Sequence, residues 1–400
     1  MSQSRHRVLI AGGGVAGLEA LLALRALAAD QVELTLVAPQ EHFVYRPLAV
    51  AEPFGLGRAR RTPLGDATRD AQAELIIAGV EAVEPQTRRV RTSEGRELEY
   101  DAVLLATGAR ATPAFARVTT WDDRADVQVL QTLTRELHDR SIRRLAILIP
   151  PGPGWPLPAY ELALLISRRV RGVGAEPEIV VVSPERAPLA VFGPEASREV
   201  GAELDAAGVR FESIGEARLD PADANTLVLD PSGRRLRADR VLAMPRLTGN
   251  APDGVPVDAD GYLPVDEHCR VSGVEGVWAA GDGIAFPVKF GSLAADQADV
   301  AAADIAVEAG ADVERQRFHP VLRGRLLTGR RERWMRHEPT AADARGETSY
   351  EPLWWPPGKV AGRHLAPWLA ARDEQAVAAG PPISGGVAVE ADLAHEAPEG

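Results

Sequence analysis

The sequence predicts an α/β fold, with two Rossmann-like domains and a small C-terminal region. The first observation is the stretch 6–28, where an apolar strand leads through glycines into an apolar helix. The second is a renewed alternation of apolar strands and helices over residues 140–250. Such alternation is typical of parallel sheets that are covered by helices on both faces. Shorter apolar stretches after residue 313 indicate the C-terminal region.

Composition sets the broad class of protein. A chain of 400 residues is long enough for two or three domains with their own cores. The net charge of -12 argues against a nucleic-acid partner, because phosphate backbones require a basic surface. A single cysteine excludes an intrachain disulfide and agrees with a reducing cytoplasm. No signal peptide and no membrane-spanning run is recognisable, so a cytoplasmic protein is expected.

The first element is "HRVLIAGGGVAGLEALLALRALA", a strand, a glycine turn and a helix. The glycines at 12, 14 and 17 have the Rossmann spacing. Gly12 permits the tight turn, Gly14 lets a pyrophosphate approach the backbone, and Gly17 lets helix and strand pack closely. The N-terminus of the helix then offers N–H groups to phosphate. The alternative is a glycine-rich turn of an unrelated α/β fold.

The second element is the strand "VELTLVA" at 32–38. The acidic residue that usually ends this strand, and that binds the adenosine ribose, is replaced by Ala38. Gln40 or Glu41 could take its place. The phosphate contact is therefore predicted and the ribose contact is left open.

Two later stretches complete the pattern. "YDAVLLATGARATP" (100–113) is a buried strand that ends in Ala-Thr-Gly, and residues 276–310 contain a strand, Gly281-Asp282 and a long Ala-rich helix. With the first motif, they resemble the pyridine nucleotide-disulfide oxidoreductase superfamily over residues 6–330. The nearest branch holds type II NADH dehydrogenases, sulfide:quinone oxidoreductases and flavocytochrome c sulfide dehydrogenases. The resemblance implies an FAD-binding domain at 1–113 and 251–312, an NAD(P)-binding-like domain at 114–250, and a C-terminal region at 313–372.

The resemblance also implies which residues contact FAD. The glycines at 12, 14 and 17 would bind its pyrophosphate, and Asp282 would accept hydrogen bonds from the ribityl chain. The alternative for Asp282 is a turn or helix-capping residue. The other residues that we assign to the cofactor site are Arg46, Val80, Thr107, Gly108 and Gly281.

Lys289 is the candidate catalytic residue. Only two of the 45 basic residues are lysines, and this one immediately precedes the helix that begins near Gly291. The positive end of that helix would face the flavin, and Lys289 would add a compact charge near flavin or substrate. The alternative is a solvated loop lysine.

The second nucleotide loop is degenerate. In "IPPGPGWPLPAYELALLIS" (149–167) the three glycine positions are occupied by Gly154, Pro156 and Ala159. Proline lacks an N–H and adds a ring where a pyrophosphate would approach, so NAD(P)H binding in the usual pose is disfavoured. Trp155 and Pro156 suit the wall of an apolar substrate pocket, although the loop could equally be structural. Glu185, after the next strand, is placed where a ribose-binding acid could lie.

Sulfur chemistry is disfavoured by the cysteine count. A dithiol–disulfide couple needs two thiols, and the chain has only Cys269, which we interpret as structural. No group of His, Cys and Asp has metal-ligand spacing, so no metal site is predicted.

The C-terminal region is predicted to begin with a strand pair within 317–337. Residues 351–372 are predicted to form a helix that mixes aromatic and basic side chains. Packing on the FAD domain or across a homodimer is one interpretation, and peripheral contact with a membrane or quinone is the other. Residues 373–400 have the composition of a disordered tail. The residues of the helix that carry this argument are Trp354, Trp355, Lys359, Arg363, His364 and Trp368.

Two functions from different classes follow. The first is an FAD-dependent oxidoreductase that passes two electrons from a small-molecule donor, NAD(P)H among the candidates, to an acceptor such as a quinone. The second is a non-catalytic flavoprotein or interaction module that has lost its donor site. The intact glycine motif favours the enzyme, while the degenerate second loop motivates the alternative.

Overall fold

Two five-stranded parallel sheets dominate the structure. The computed structural model describes residues 5–122, 127–340 and 346–378. The helices of these ranges are α1 (Val15–Ala28), α2 (Leu64–Asp70), α3 (Val127–His138), α4 (Leu157–Arg171), α5 (Gly193–Ala206), α6 (Gly291–Glu308) and α7 (Leu365–Ala378). Short 3₁₀ segments occur at Ala29–Gln31, Arg46–Phe54 and Ala190–Phe192.

The strands are short and lie between these helices. Those before α3 are β1 (His6–Ala11), β2 (Val32–Ala38), β3 (His42–Tyr45), β4 (Arg60–Pro63), β5 (Glu74–Ile77), β6 (Val80–Glu84), β7 (Arg89–Thr92), β8 (Glu97–Glu99), β9 (Ala102–Leu105), β10 (Ala109–Thr112) and β11 (Thr119–Thr120). Those after α3 are β12 (Arg144–Leu148), β13 (Glu178–Ser183), β14 (Val209–Ser213), β15 (Glu216–Asp220), β16 (Asp223–Asp230), β17 (Arg234–Arg237), β18 (Arg240–Ala243), β19 (Arg246–Gly249), β20 (Val277–Ala279), β21 (Leu322–Leu326), β22 (Arg333–His337) and β23 (Glu347–Ser349).

The first sheet has the order β20-β9-β1-β2-β5, and every pair in it is parallel. β1 lies at its centre, and Ile10 in that strand is fully buried. α1 and α6 pack against each other over this sheet, because both helices bury mainly alanine and leucine side chains that allow a close approach. This packing fixes the turn after β1 next to the start of α6.

The second sheet has the order β11-β18-β12-β13-β14 and is also parallel throughout. Helices α3, α4 and α5 contribute to one continuous core with it. β12 and β13 are buried at almost every position, as expected for central strands of a parallel sheet. The predicted α/β class with two Rossmann-like units is therefore confirmed.

The C-terminal region is partly as predicted. The strand pair within 317–337 is present as β21 and β22, and β23 adds a third antiparallel strand. The helix predicted over 351–372 is wrong in its first half, since α7 begins only at Leu365. Pro356 and Pro357 remove two N–H donors, and proline pushes its preceding residue out of the helical region. The predicted start of the tail is also wrong, because α7 extends to Ala378; residues 379–400 lie outside the described ranges.

Candidate functional site

A cavity of about 870 Å³ lies where the carboxyl ends of the two parallel sheets face each other. Segments that follow strands of the first sheet line it at 11–16, 37, 39–40, 42–44, 106–111 and 280–282. Segments that follow strands of the second sheet line it at 149–158, 184–185 and 244–245. The ends of parallel strands at such a position are the usual ligand site of α/β proteins.

The glycines at 12, 14 and 17 differ in what a side chain would meet. A Cβ on Gly12, whose φ is +123°, would lie 2.2 Å from the carbonyl oxygen of Ala106. A Cβ on Gly17 would lie 1.8 Å from the carbonyl oxygen of Gly12. A Cβ on Gly14 would have no neighbour within 4 Å, and Gly14 lines the cavity. Gly12 and Gly17 thus permit close packing of the backbone, whereas Gly14 leaves open space at the cavity.

The start of α1 is suited to an anion. Gly14 precedes the helix, and no side chain caps its first N–H groups. The first turn also carries no acidic residue. Uncapped N–H groups at a helix N-terminus next to a cavity are a favourable site for phosphate.

The other predicted cofactor residues line the same cavity. Arg46, Val80, Thr107, Gly108, Gly281 and Asp282 are all among its lining residues. The hydroxyl of Thr107 is buried and makes no hydrogen bond within the described chain. Of the two candidates for the ribose contact, Gln40 lines the cavity and Glu41 does not. Their assignment to FAD contacts stays a prediction.

Lys289 is a buried residue of the cavity wall and is only 3% exposed. The alternative of a solvated loop lysine is therefore wrong. Its ammonium donates a hydrogen bond to the carbonyl of Ile284 and lies 3.9 Å from the ring centroid of Tyr262. Burial lowers the pKa of Lys289 to about 8, although Asp282 opposes the shift. Burial in turn raises the pKa of Asp282, and Lys289 opposes that shift.

The loop between β12 and α4 differs in length from the loop after β1. Three residues (12–14) connect β1 to α1, whereas eight (149–156) connect β12 to α4. This second loop is tied to the segment before α6 by two backbone hydrogen bonds. Gly154 donates to Pro287 over 3.0 Å, and Lys289 donates to Gly154 over 3.0 Å. The long loop therefore has a fixed course and does not repeat the tight phosphate turn.

Trp155 carries the aromatic contact of this loop. Its ring stacks on Phe290 with 4.3 Å between centroids and 12° between planes, and meets Phe192 edge-on. Trp155 and Pro156 both line the cavity, as predicted for a pocket wall. Pro156 directly precedes α4, and Pro158 lies in its first turn, so two N–H donors are missing where a phosphate would bind.

Glu185 lies at the edge of the cavity, where the sequence placed a ribose-binding acid. One of its oxygens, Oε2, accepts a hydrogen bond of 2.6 Å from the hydroxyl of Tyr160. The other, Oε1, is buried and has no partner in the described chain. Burial raises the pKa of this carboxyl group. Glu185 thus has one carboxylate oxygen that no hydrogen bond of the described residues uses.

A buried ion pair in the cavity wall was not assigned from the sequence. Nζ of Lys359 lies 2.6 and 2.7 Å from the two carboxylate oxygens of Glu161. The backbone N–H of Leu327 donates a hydrogen bond of 2.8 Å to the same carboxylate. Glu161 is fully buried and Lys359 is 9% exposed. Burial raises the pKa of Glu161 and lowers that of Lys359, with each partner opposing the shift of the other. The rarity of lysine in the sequence was the available signal.

Cys269 does not take part in the cavity. It is fully buried and does not line the cavity wall. Burial raises the pKa of its thiol to about 12. These properties agree with the interpretation of Cys269 as a structural residue.

Two parallel sheets that share one cleft, with a glycine turn at its base, define a dinucleotide-binding class of α/β protein. Residues 6–310 match the family described as pyridine nucleotide-disulphide oxidoreductase, and the chain belongs to that family. The resemblance inferred from the sequence is thus confirmed. Members of this family are FAD-binding flavoproteins, and relatives act as flavin-dependent electron-transfer reductases.

Individual relatives are distant. The chain is 29% identical over 301 residues to an NADH dehydrogenase-like protein of Mycobacterium tuberculosis, which covers 69% of this chain and 72% of the relative. It is 25% identical over 298 residues to the sulfide-quinone reductase of Aquifex aeolicus. This alignment covers 72% of this chain and 63% of the relative. The crystal structure of the Aquifex aeolicus sulfide:quinone oxidoreductase superposes with a TM-score of 0.76 at 18% identity, over 93% of this chain and 90% of that chain. The likeness in structure supports the fold.

No helix in the described ranges is long and apolar enough to cross a membrane. The tryptophans predicted to lie on one C-terminal helix have separate environments. Trp355 is 83% exposed, whereas Trp354 packs edge-on against Trp334. Trp368 lies on α7 and donates a hydrogen bond to Asp70.

Proposed function

We propose that this chain is an FAD-dependent oxidoreductase that passes two electrons from a small-molecule donor to an acceptor such as a quinone. The observation that carries the proposal is the open space at Gly14, beside an uncapped helix start and within a large cavity. FAD, when bound, supplies two-electron transfer chemistry that no side chain provides. The family of the chain supports the same assignment.

The residues present fit an FAD molecule. The pyrophosphate would be held at residues 12–14 and the first turn of α1. Asp282 would accept hydrogen bonds from the polyol chain, and the unpartnered hydroxyl of Thr107 is available as a further contact. The cavity volume of about 870 Å³ lies in the range of ligand and cofactor sites.

Two lysines would provide the charges and protons of the reaction. Lys289 carries a positive charge into the cavity wall, where it would stabilise negative charge. Lys359 and Glu161 form a hydrogen-bonded ion pair in the same cavity wall. A proton held at this pair can be donated to an acceptor that becomes an oxyanion when it takes up electrons.

The donor would not bind through the usual nicotinamide loop. Residues 149–156 lack the tight glycine turn, and Trp155 fills space in front of Phe290. Oε1 of Glu185 has no hydrogen-bond partner in the described residues. A nicotinamide cofactor would therefore bind through this carboxylate, and not through contacts between its phosphates and the loop. We therefore expect NADH and NADPH to be slow donors.

The test begins with the full-length protein as purified. Its visible spectrum and the flavin released by heat should identify one FAD per chain. The protein is then mixed under anaerobic conditions with NADH, with NADPH and with a reduced quinone, while the flavin absorbance is followed. Fast bleaching by either nicotinamide would overturn the proposed weak donor site. Absence of flavin after reconstitution with FAD would overturn the assignment of Gly14 and Asp282.

A pair of variants separates a pocket wall from a structural loop. Trp155→Ala should change the Michaelis constant of the active donor or acceptor at least severalfold while flavin content stays constant, because its ring lines the cavity. Trp355→Ala is the matched control, since this tryptophan is 83% exposed. Equal Michaelis constants for Trp155→Ala and wild type would contradict a substrate role for the loop.

The non-catalytic alternative has one structural observation in its favour. The backbone hydrogen bonds between Gly154 and residues 287–289 hold the loop against the segment before α6. The test is whether any donor reduces the bound flavin. If small chemical reductants reduce free FAD but neither they nor any other donor reduces the flavin in the protein, this alternative is favoured.

A further inference from the structure

Three side chains converge where α7 meets α1 and α6, away from the cavity. Glu19 comes from α1, Asp299 from α6, and His364 from the residue before α7. One oxygen or nitrogen atom from each lies within 4.8 Å of the other two. None of the three lines the large cavity. Their separation in the sequence explains why no metal-ligand spacing was visible there.

Asp299 is the residue that points to a ligand. It is 9% exposed, and its Oδ1 is inaccessible and has no hydrogen-bond partner in the described chain. The same Oδ1 faces Nε2 of His364 at 3.9 Å. A buried carboxylate oxygen without a donor is costly unless a cation lies against it or the group takes up a proton. The distance of 3.9 Å is too long for a hydrogen bond and leaves space between the two atoms.

Glu19 is held in place by backbone groups. Its two oxygens accept hydrogen bonds from the N–H groups of His364 (2.6 Å) and Leu365 (2.9 Å) at the start of α7. Each oxygen keeps a further lone pair, because a carboxylate has about four acceptor sites. A Cβ at Gly362 would lie 2.2 Å from Oε2 of Glu19, so the close approach of this segment requires glycine. The carboxylate is therefore pre-positioned.

We propose that Glu19, Asp299 and His364 bind a divalent transition-metal ion of the zinc type. One imidazole and two carboxylates form a ligand set that such ions accept, with water completing the coordination. The ion would join α1, α6 and the start of α7. It would thereby anchor the segment 359–364, which carries Lys359 into the cavity wall.

The charges around the cluster can accommodate a dication. Glu19 and Asp299 place two carboxyl groups side by side in a buried position, and a dication would relieve the mutual repulsion of their charged forms. Asp296 adds a further carboxylate close to Asp299. His364 would bind the ion through its neutral imidazole.

The test uses untagged full-length protein, stripped with a chelator and titrated calorimetrically with ZnCl₂ and separately with MnCl₂. One equivalent of Zn²⁺ should bind and raise the melting temperature. Asp299→Asn and His364→Gln should each weaken the affinity more than about tenfold, since even partners of metal ligands contribute that much. His319→Gln removes an exposed histidine outside the cluster and should leave the affinity unchanged.

Two results would overturn the proposal. One is the absence of a stoichiometric binding event for both ions. The other is binding that Asp299→Asn and His364→Gln leave intact, which would assign it to surface residues. Circular dichroism checks that each variant is folded, and if Asp299→Asn fails this check, His364→Gln decides alone because its side chain is partly exposed.

Discussion

Nζ of Lys359 lies 2.6 Å and 2.7 Å from the two carboxylate oxygens of Glu161, although 198 positions separate the residues in the chain. Both groups are almost completely withdrawn from solvent. Low dielectric surroundings strengthen their attraction, but they also make either group costly without its partner. This pair therefore joins the C-terminal segment to α4 at the cavity wall.

Removal of one member should destabilise the protein strongly. Lys359→Met leaves the carboxyl group of Glu161 buried without a counter-charge, so we expect a loss of about 3–5 kcal/mol in the free energy of unfolding. Urea unfolding of the purified proteins measures it. The double variant Glu161→Gln, Lys359→Met should recover part of the loss. A single variant as stable as wild type would show that the pair contributes nothing net.

Gly14 and Gly17 should respond differently to alanine. Gly17→Ala places a Cβ against the carbonyl of Gly12 and should cost about 1–3 kcal/mol of stability. Gly14→Ala meets open space, and its extended backbone (φ -87°) suits alanine, so stability should be unchanged while flavin content falls. Thermal unfolding and flavin-to-protein ratio measure the two effects. Full flavin content in Gly14→Ala would refute the phosphate assignment.

Lys289 predicts a pH dependence of stability. Its folded pKa of about 8 lies below the ordinary value of 10.5. Between these values the unfolded chain binds a proton that the folded chain does not, so the stability of wild type relative to Lys289→Met should rise as pH increases from 8 to 10.5. Below pH 8 the lysine is charged in both states, and the difference should be constant. Urea unfolding of both proteins at pH 7, 8, 9 and 10 measures this difference in the free energy of unfolding. If the difference does not change with pH, the pKa of Lys289 is not lowered in the folded protein.

Cys269 should be chemically inert in the folded protein. Its thiol is buried, and with a pKa of about 12 only about one molecule in ten thousand is a thiolate at pH 8. A thiol reagent should label it only as fast as the protein unfolds, and immediately in denaturant. Rapid labelling of the native protein would contradict the structural role.

The local part of the fold could be predicted from sequence. Strand β1, its glycine turn and α1 form one continuous segment, so hydrophobic periodicity and glycine spacing contain all the information needed. The same holds for the unusual loop at 149–156, where the prolines already exclude a standard phosphate turn. These features depend on residues that are neighbours in the chain.

The remainder depends on long-range contacts. The sequence predicts Lys359 on a helix that mixes aromatic and basic side chains, because its buried partner Glu161 lies in another part of the chain. The convergence of Glu19, Asp299 and His364 has the same cause. The helical signal of residues 365–372 was also extended backwards across two prolines, which the structure corrects. Periodicity describes which face is buried but not what lies against it.

The strands of the first sheet lie on both sides of the second sheet in the sequence. This order decides which sheet can be completed first while the chain is being synthesised. The second sheet has all its strands once Ala243 has been synthesised, whereas the first still lacks β20 and the covering helix α6. The edge of β9 stays unpaired until residue 279 emerges, and the face of α1 that packs on α6 stays uncovered until residue 308 emerges. An unpaired strand edge next to apolar surface is where aggregation begins. The sheet that is encoded in the middle of the chain can thus be completed first, and the sheet whose central strand begins the chain is completed last, together with its side of the cofactor cleft.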